Sequence, residues 1–310
     1  MALFASQRRT ARETGGAPSR RTPGSRPRGI EVVSKSEVRA GQVAWARSEG
    51  LAPDSRGYLA SYEENLFQPL SPTAKTAFEL GSGSELKDRT GSPAKMRALH
   101  SSSALAANAF DFWSCRPNTD LLAALGLPDT SDAMIRFEGQ YPTGLPGNPP
   151  NLDVVLELST GDVVGIESKF TEWLSPKAPG VTPFKEKYFP AGNGVWERRG
   201  LTKSQQFAEK LQGGELTFRY LDAPQLLKHA LGLASAVGDR FRLLYIYFDC
   251  NCPSGEIHSS EIKAFDSAAG VELAFQALSY QDLLSRLDGS SAGTAEYRWY
   301  MRRRYLSADR

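Results

Sequence analysis

The segment Asn151–Phe170 contains two acidic side chains and a lysine whose spacing could support hydrolysis of a phosphodiester. Asp153 lies in one apolar stretch, and Glu167 and Lys169 lie two residues apart in the next. Neighbouring carboxylates repel each other unless a cation lies between them, and hard oxygen ligands suit Mg²⁺ or Mn²⁺. A lysine beside such a metal can orient or deprotonate a water molecule and stabilise charge on the phosphate.

Two short β-strands around a tight turn are predicted to position these groups. Apolar and polar residues alternate on both sides of Ser159-Thr160-Gly161, which is typical of a hairpin. A three-residue loop, with Gly161 in the left-handed conformation, places Asp153 opposite Glu167. Because alternate residues of a strand share a face, Lys169 then lies on the same face as both acids. A two-residue loop would separate the acids, so the loop length is itself a prediction.

These residues and their strand–turn–strand setting resemble the PD-(D/E)xK nuclease superfamily, the fold of many restriction endonucleases. The resemblance matches Asp153 to the metal-binding aspartate, Glu167 to the second acid and Lys169 to the catalytic lysine. Leu152 stands where the superfamily name has proline, a position that is loosely defined. The resemblance covers about residues 133–249. It implies a three-layer α/β fold with a central mixed sheet flanked by helices, and hydrolysis of DNA with Mg²⁺ or Mn²⁺.

The superfamily often takes a third metal-binding acid from a helix that precedes the strands. Glu85, at a predicted helix start, is the first candidate for this ligand, and Glu64, on an earlier predicted helix, is the second. Glu138, in the strand predicted before the hairpin, and Asn108, on the helix before that strand, are further candidates. Acids in a first helical turn are commonly placed there by the helix dipole alone, so a structural role stays open for Glu85 and Glu64.

A helix predicted to begin after Asp222 adds another candidate. Asp222 is a natural N-cap, and Pro224 lies in the first turn, where proline is tolerated. Gln225, Lys228 and His229 share the polar face of this helix. The resemblance implies that the helix packs beside the acidic hairpin. We therefore expect Gln225 to contribute to catalysis, with His229 as the alternative, although such a histidine is more often an ordinary surface residue.

The surrounding pattern follows the order of an α/β domain. We predict helices at residues 37–49, 58–67, 104–113 and 120–125, a strand at 133–141, and a buried strand at 242–249. A helix around residues 260–268, a strand at 271–278 and a helix at 281–287 complete the layer. Residues 30–310 are therefore predicted to form one nuclease-like domain with its core at about 101–290.

Two basic segments lie outside this core pattern. Residues 1–29 contain seven arginines and one glutamate among Gly, Pro and Ser, which predicts a disordered arm. The arm could bind phosphate backbones, remain a solvated tail or act as a transit peptide. The insertion at residues 171–217 interleaves cations with aromatic residues. It predicts either a groove whose rings stack on bases or a lid that packs its rings on the sheet.

Composition limits the remaining possibilities. The chain has 310 residues, 40% of them hydrophobic, which is enough for a sizeable core, and its net charge of +2 means that contacts with nucleic acid must come from local clusters. No apolar run reaches the roughly 18 residues of a membrane span, and no signal peptide is visible, so we expect a cytoplasmic protein. Cys115, Cys250 and Cys252 form no disulfide framework and are expected to be free thiols. Cys250, Cys252 and His258 make at most half a zinc site.

The predicted function is Mg²⁺-dependent hydrolysis of DNA in restriction or repair, with DNA as the partner and a homodimer as an open possibility. One alternative is a nuclease fold that binds nucleic acid without cutting it. The other is a glycoside hydrolase that uses Glu138 and Asp153 as its acid pair. The lysine on the shared face and the basic clusters argue against a glycoside hydrolase.

Overall fold

The computed structural model describes residues 34–81, 83–127, 132–178, 180–192, 194–287 and 292–306. The predicted basic arm, residues 1–29, lies outside these described residues. The strands are β1 (Ala133–Gln140), β2 (Asn151–Leu158), β3 (Val163–Lys169), β4 (Phe241–Tyr247) and β5 (Gln276–Ser279). The helices are α1 (Lys35–Ser48), α2 (Pro72–Leu80), α3 (Ser102–Phe110), α4 (Thr119–Ala124), α5 (Thr202–Gln212), α6 (Ala223–Val237), α7 (Pro253–Phe265), α8 (Val271–Leu273), α9 (Tyr280–Arg286) and α10 (Ala295–Met301).

The described strands form one mixed sheet in the order β1-β2-β3-β4-β5. The first three are antiparallel neighbours, whereas β4 pairs in parallel with β3 and with β5. Helix α6 lies in the connection from β3 to β4, as a parallel crossover requires. The predicted three-layer α/β architecture is therefore confirmed.

Two apolar cores cover the two faces of the sheet. On one face, residues of α3, α9 and α10 pack against Val154, Ile166 and Ile246. On the other face, residues of α5, α6 and α7 pack against Val155 and Leu243. Burial on both faces explains why β4 is a nearly continuous apolar run rather than an alternating one.

The turn between β2 and β3 has the predicted length. The Leu158 amide donates a hydrogen bond to the Asp162 carbonyl at 2.9 Å, which leaves three residues in the loop. Gly161 has a φ of +83°, the left-handed conformation that such a loop favours. The register of the β2–β3 pairing, continued by one residue, sets Asp153 opposite Glu167.

Three predicted elements are wrong in part. Residues 58–67 contain only the 3₁₀ turn Glu63–Asn65 instead of a helix. The helix start predicted around Glu85 is a loop over residues 83–86, in which Ser84 has a φ of +58° that no helix accepts. The strand predicted at residues 271–278 starts as a short helix, and only its second half is β5.

The expectation of free thiols is wrong for two of the three cysteines. Cys250 and Cys252 form a disulfide, with Cα atoms 5.4 Å apart, a separation that a disulfide can span. Cys115 is free and exposed. The described helices include none that combines the length and the apolar character needed to cross a membrane.

Candidate active site

Glu167, on β3, lies buried between two nitrogen groups. Its side chain is 1% exposed, and the Lys169 ammonium contacts its Oε1. His229 Nε2, from α6, lies 2.9 Å from its Oε2. Burial raises the pKa of Glu167, but Lys169 and His229 outweigh that effect, so the pKa is lower than its ordinary value. Glu167 is therefore an ionised carboxylate that the protein itself neutralises.

Asp153, on β2, has a different environment. It is only partly buried, and its Oδ2 accepts a hydrogen bond from the Ser168 amide at 2.7 Å. Loss of water contact and the charge of Glu167 raise the pKa of Asp153 well above its ordinary value, against the attraction of Lys169. Of the two acids, Asp153 is therefore the one whose ionised form the surrounding residues favour less.

Lys169 remains a cation in this setting. Its side chain is 21% exposed, so part of it reaches solvent. Burial lowers the pKa of Lys169, but Glu167 and Asp153 raise it by more, and the net pKa is above its ordinary value. A lysine held in its protonated form can stabilise negative charge on a phosphate, whereas it cannot serve as the base that deprotonates water.

Glu138 supplies a third acid from β1. Its φ of +52° lies in the left-handed region, which strains any residue other than glycine. The β1–β2 register, counted through this position, brings Glu138 opposite Asp153. Its Oε2 accepts a hydrogen bond from Asn151 Nδ2 at 2.6 Å. Burial raises the pKa of Glu138 despite this hydrogen bond, and the charges of Glu85 and Glu167 raise it further.

Glu85 lies beside Glu138 rather than on the hairpin. It is 5% exposed, accepts a hydrogen bond from Ser103 Oγ at 2.7 Å, and pairs with Lys95 at 3.1 Å. Its charge acts on Glu138. The structure thus brings the predicted ligand Glu85 to the edge of the acidic group, although not from a helix.

The other two candidates for a third ligand have different partners. Glu64 is exposed and accepts the Ala60 amide at 3.2 Å. Asn108 is buried, where its Oδ1 accepts the Phe67 amide at 2.7 Å and its Nδ2 donates to Tyr305 Oη at 2.9 Å. Asn108 therefore joins α3 to neighbouring segments, and neither residue is directed at the two acids of the hairpin.

Helix α6 brings His229 rather than Gln225 to the acids. Both residues lie on one face of the helix, and the rotation of the helix against the sheet decides which one reaches Glu167. Gln225 is partly exposed, and its backbone amide donates to the N-cap Asp222 at 3.1 Å. Among the described contacts, the Gln225 side chain meets neither acid, so a role for Gln225 has to come from contact with substrate.

Tyr245 is a neighbour of the site that the sequence did not reveal. It lies opposite Glu167 in the parallel β3–β4 pairing, and its hydroxyl forms a 2.9 Å hydrogen bond with His258 Nε2. Trp173 stacks on His258 with ring centres 4.1 Å apart. Burial lowers the pKa of His258 to about 3, so this histidine is neutral. Tyr245 therefore joins the strand next to Glu167 to a group of stacked rings, a register across a crossover that cannot be predicted from strand periodicity alone.

The hairpin acids fit a divalent cation as a two-carboxylate site. Both buried oxygens of Glu167, and both ring nitrogens of His229, lack a well-directed hydrogen bond despite their close contacts. Across the part of the chain that the structure describes, no three or more His, Cys, Asp or Glu side chains are grouped closely enough to enclose a metal. Mg²⁺ usually takes one or two carboxylates and completes its shell with water and substrate phosphates. Asp153 and Glu167 meet that requirement.

The insertion after Lys169 packs its rings inward. Phe184, Tyr188 and Trp196 are buried in the core on the α6 side of the sheet, as the lid interpretation predicted. Lys185 and Arg198, by contrast, are exposed. The rings therefore support the insertion, and the cations are the part of it that faces solvent.

Of the comparisons with known proteins, the comparison with family models found a match. A family model described as restriction endonuclease associating with ARP matches residues 38–306, which is most of the chain. Comparison with curated proteins found no match, and neither did comparison with solved structures.

Proposed function

Because the chain belongs to the family described as restriction endonuclease associating with ARP, we propose that it is a PD-(D/E)xK deoxyribonuclease that cuts DNA with Mg²⁺ or Mn²⁺. The observation that carries the proposal is the β2–β3 register, which sets Asp153 opposite Glu167, together with the contact between Glu167 and Lys169. Family membership supports a nuclease and gives no support to a glycoside hydrolase built on Glu138 and Asp153.

Each side chain has a distinct role in this proposal. Asp153 and Glu167 would bind the metal, which supplies a polarised water and a counter-charge for the phosphate when it is bound. Lys169, as a cation, would stabilise the charge that develops on the phosphate. His229 would orient Glu167 through the contact of its Nε2 with the carboxylate, as residues that contact metal ligands commonly do. Gln225, on the exposed part of the same helix, would contact substrate.

Two acids remain candidates for a further ligand. Glu138 is the nearer of the two to the hairpin, because its charge acts on Asp153. The charge of Glu85 acts on Glu138 instead. The strained conformation of Glu138 is the kind of local cost that proteins accept at working sites.

Cleavage assays with three DNA substrates test the proposal. Plasmid, linear duplex and single-stranded DNA are incubated with the protein, with and without Mg²⁺, and alongside the Asp153→Ala and Lys169→Ala variants. We expect metal-dependent cleavage by the wild type and none by either variant, while circular dichroism shows that both variants fold. Full metal-dependent cleavage by both variants would contradict the assignment.

A nuclease fold that binds DNA without cutting is the second candidate. It is favoured by the lack, within the described residues, of a group of three or more metal-ligating side chains. Titration of Mn²⁺ separates the candidates, because a site that binds no metal at millimolar concentration supports the inactive fold.

The family description also names ARP as an associate, and this association is proposed for the present chain. Co-purification of the two proteins, with and without DNA, tests it. Absence of a stable complex under both conditions would remove ARP from the proposal and leave the nuclease assignment unaffected.

A further inference from the structure

The ammonium groups of Lys187 and Lys228 both make cation–π contacts with the buried ring of Tyr188. The Nζ atoms lie 5.4 and 5.7 Å from the centre of the Tyr188 ring, respectively. Lys228 Nζ also lies 5.1 Å from the centre of the Phe184 ring and donates a hydrogen bond to the Pro183 carbonyl at 3.2 Å. Cation–π contacts and the carbonyl fix both lysines in place, so little side-chain entropy remains to be lost on binding an anion.

Lys177 and Lys185 extend this group of cations. Lys185 is exposed, and Lys177 Nζ lies 3.0 Å from Asp222 Oδ1. Burial lowers the pKa of Lys228, and the charges of Lys177, Lys185 and Lys187 lower it further, although Asp222 opposes them. Like charges gathered in this way repel each other, and a bound polyanion would relieve that repulsion.

The position of these cations relates them to the candidate active site. Lys228 directly precedes His229 on α6, and the His229 ring contacts Glu167. Lys187 donates a hydrogen bond to a carbonyl of the loop at residues 141–150, which joins β1 to β2 and so leads into Asp153. Lys228 thus lies on the helix that carries His229, and Lys187 contacts the loop that leads into Asp153, so both cations are tied to elements that carry residues of the candidate site.

Resting on the proposed cleavage of DNA, we propose that Lys177, Lys185, Lys187 and Lys228 bind the phosphate backbone of duplex DNA beside the phosphate that is cut. We call these four residues the lysine cluster. Each ammonium has three donors, and Lys177, Lys187 and Lys228 each use one of them on a backbone carbonyl. Contacts with phosphates fix the position of the protein on a duplex without selecting sequence. The net charge of the chain is only +2, so binding to DNA needs a local concentration of positive charge, which the lysine cluster would provide.

The salt dependence of DNA binding tests this assignment. A fluorescent duplex is titrated with the full chain in EDTA at several salt concentrations, and log K is plotted against log salt. For the Lys185→Gln/Lys187→Gln/Lys228→Gln variant we expect a slope shallower by about 2 to 3, because each lost phosphate contact removes about 0.9. The Lys185→Gln/Lys187→Gln variant retains the half-buried Lys228 and should lose about two-thirds of that difference. Thermal melting verifies that both variants fold.

A matched control removes three exposed lysines from α5 and α7, as Lys203→Gln/Lys210→Gln/Lys263→Gln. Its slope should equal that of the wild type. An unchanged slope in the lysine-cluster variants, or an equal loss in the control, would overturn the assignment. If the wild type cuts DNA with Mg²⁺ while the cluster variants keep their slope, only the lysine cluster is wrong. If the wild type neither binds nor cuts DNA, the proposed function itself fails.

Discussion

Asp153 and Glu167 are carboxylates on facing strands, yet the protein treats them in opposite ways. Glu167 is buried against Lys169 and His229, and its pKa is lowered despite that burial. Asp153 is less buried, accepts one backbone amide, and has a pKa raised by loss of water contact and by Glu167. Lys169 and His229 thus balance the charge of Glu167 on β3, whereas the charge of Asp153 on β2 is balanced less completely.

The difference explains how two neighbouring carboxylates can remain folded in one sheet. Two buried carboxylates that both ionise would strongly destabilise the sheet, and Lys169 with His229 removes that cost for one of them. The other acid supplies the unfavourable charge that a divalent cation relieves. In the proposed metal site both acids bind the ion, and Asp153 is the one whose charge the ion balances more, because Lys169 and His229 already contact Glu167.

The largest expected effects are on cleavage, which both arms should affect, and on the free energy of unfolding, which the two arms should change in opposite directions. Lys169→Met and Asp153→Asn should each slow cleavage by at least about 10²- to 10³-fold. Lys169→Met should also lower the free energy of unfolding by on the order of 3 kcal/mol, because it removes a partner of the buried Glu167. Asp153→Asn should raise the free energy of unfolding of the metal-free protein, because the amide keeps an acceptor for Ser168 and carries no charge. Urea unfolding in EDTA measures both, and a Lys169→Met protein as stable as wild type would contradict the comparison.

The pH dependence of folding stability provides a second test of the difference between Asp153 and Glu167. The folded pKa of Asp153 lies above its unfolded value of about 3.9, so stability falls as the pH rises from there through the folded pKa. The advantage of Asp153→Asn should therefore grow over that window and then level off. The lowered pKa of Glu167 has the opposite sign, because its stabilisation is complete above about 4.3 and is lost as the pH falls. Unfolding curves from pH 4 to 8 in EDTA measure this, and a constant advantage across the window argues against a raised pKa for Asp153.

A smaller effect distinguishes the two candidates on α6. His229→Gln should weaken Mn²⁺ binding by about 10- to 100-fold, because His229 contacts Glu167, the proposed metal ligand. Gln225→Ala should leave the Mn²⁺ affinity unchanged and raise only the KM for DNA. Isothermal titration with Mn²⁺, together with steady-state cleavage, gives both values. Equal Mn²⁺ affinities in the wild type and His229→Gln would remove the role given to His229.

The smallest expected effect concerns the strand beside β2. Glu138 has a left-handed backbone, which strains alanine as well as glutamate but not glycine. Glu138→Gly should therefore be more stable than Glu138→Ala by about 1 kcal/mol, whereas an ordinary strand position favours alanine. Thermal unfolding of the two variants measures this difference. Greater stability of the alanine variant would mean that the left-handed conformation does not exist in solution.

The hairpin could be predicted because its determinants are local. Alternation sets the faces, Gly161 permits the three-residue turn, and together they set Asp153 opposite Glu167. The choice between Gln225 and His229 could not be predicted, because both lie on one face of α6 and tertiary packing sets its rotation. The strand β4 could be predicted for a different local reason, its nearly continuous apolar run, which is typical of a strand buried on both faces.

The errors also have physical causes. The loop at Glu85 resembled a capped helix start, but Ser84 in the left-handed region ends any helical path there. The strain at Glu138 and the pairing of Tyr245 with Glu167 depend on contacts between strands that are distant in sequence. The disulfide between Cys250 and Cys252 was missed because two cysteines so close in sequence do not form the spacing pattern of a disulfide framework.

We propose that Asp153 and Glu167 bind one divalent ion between the two arms of the hairpin. Electron paramagnetic resonance of Mn²⁺ titrated into the wild type, Asp153→Asn and Glu167→Gln at fixed pH tests it most directly. We expect the wild type to bind Mn²⁺ saturably and both variants to bind it at least about tenfold more weakly. Wild-type affinity in both variants would show that the metal, if any, binds elsewhere.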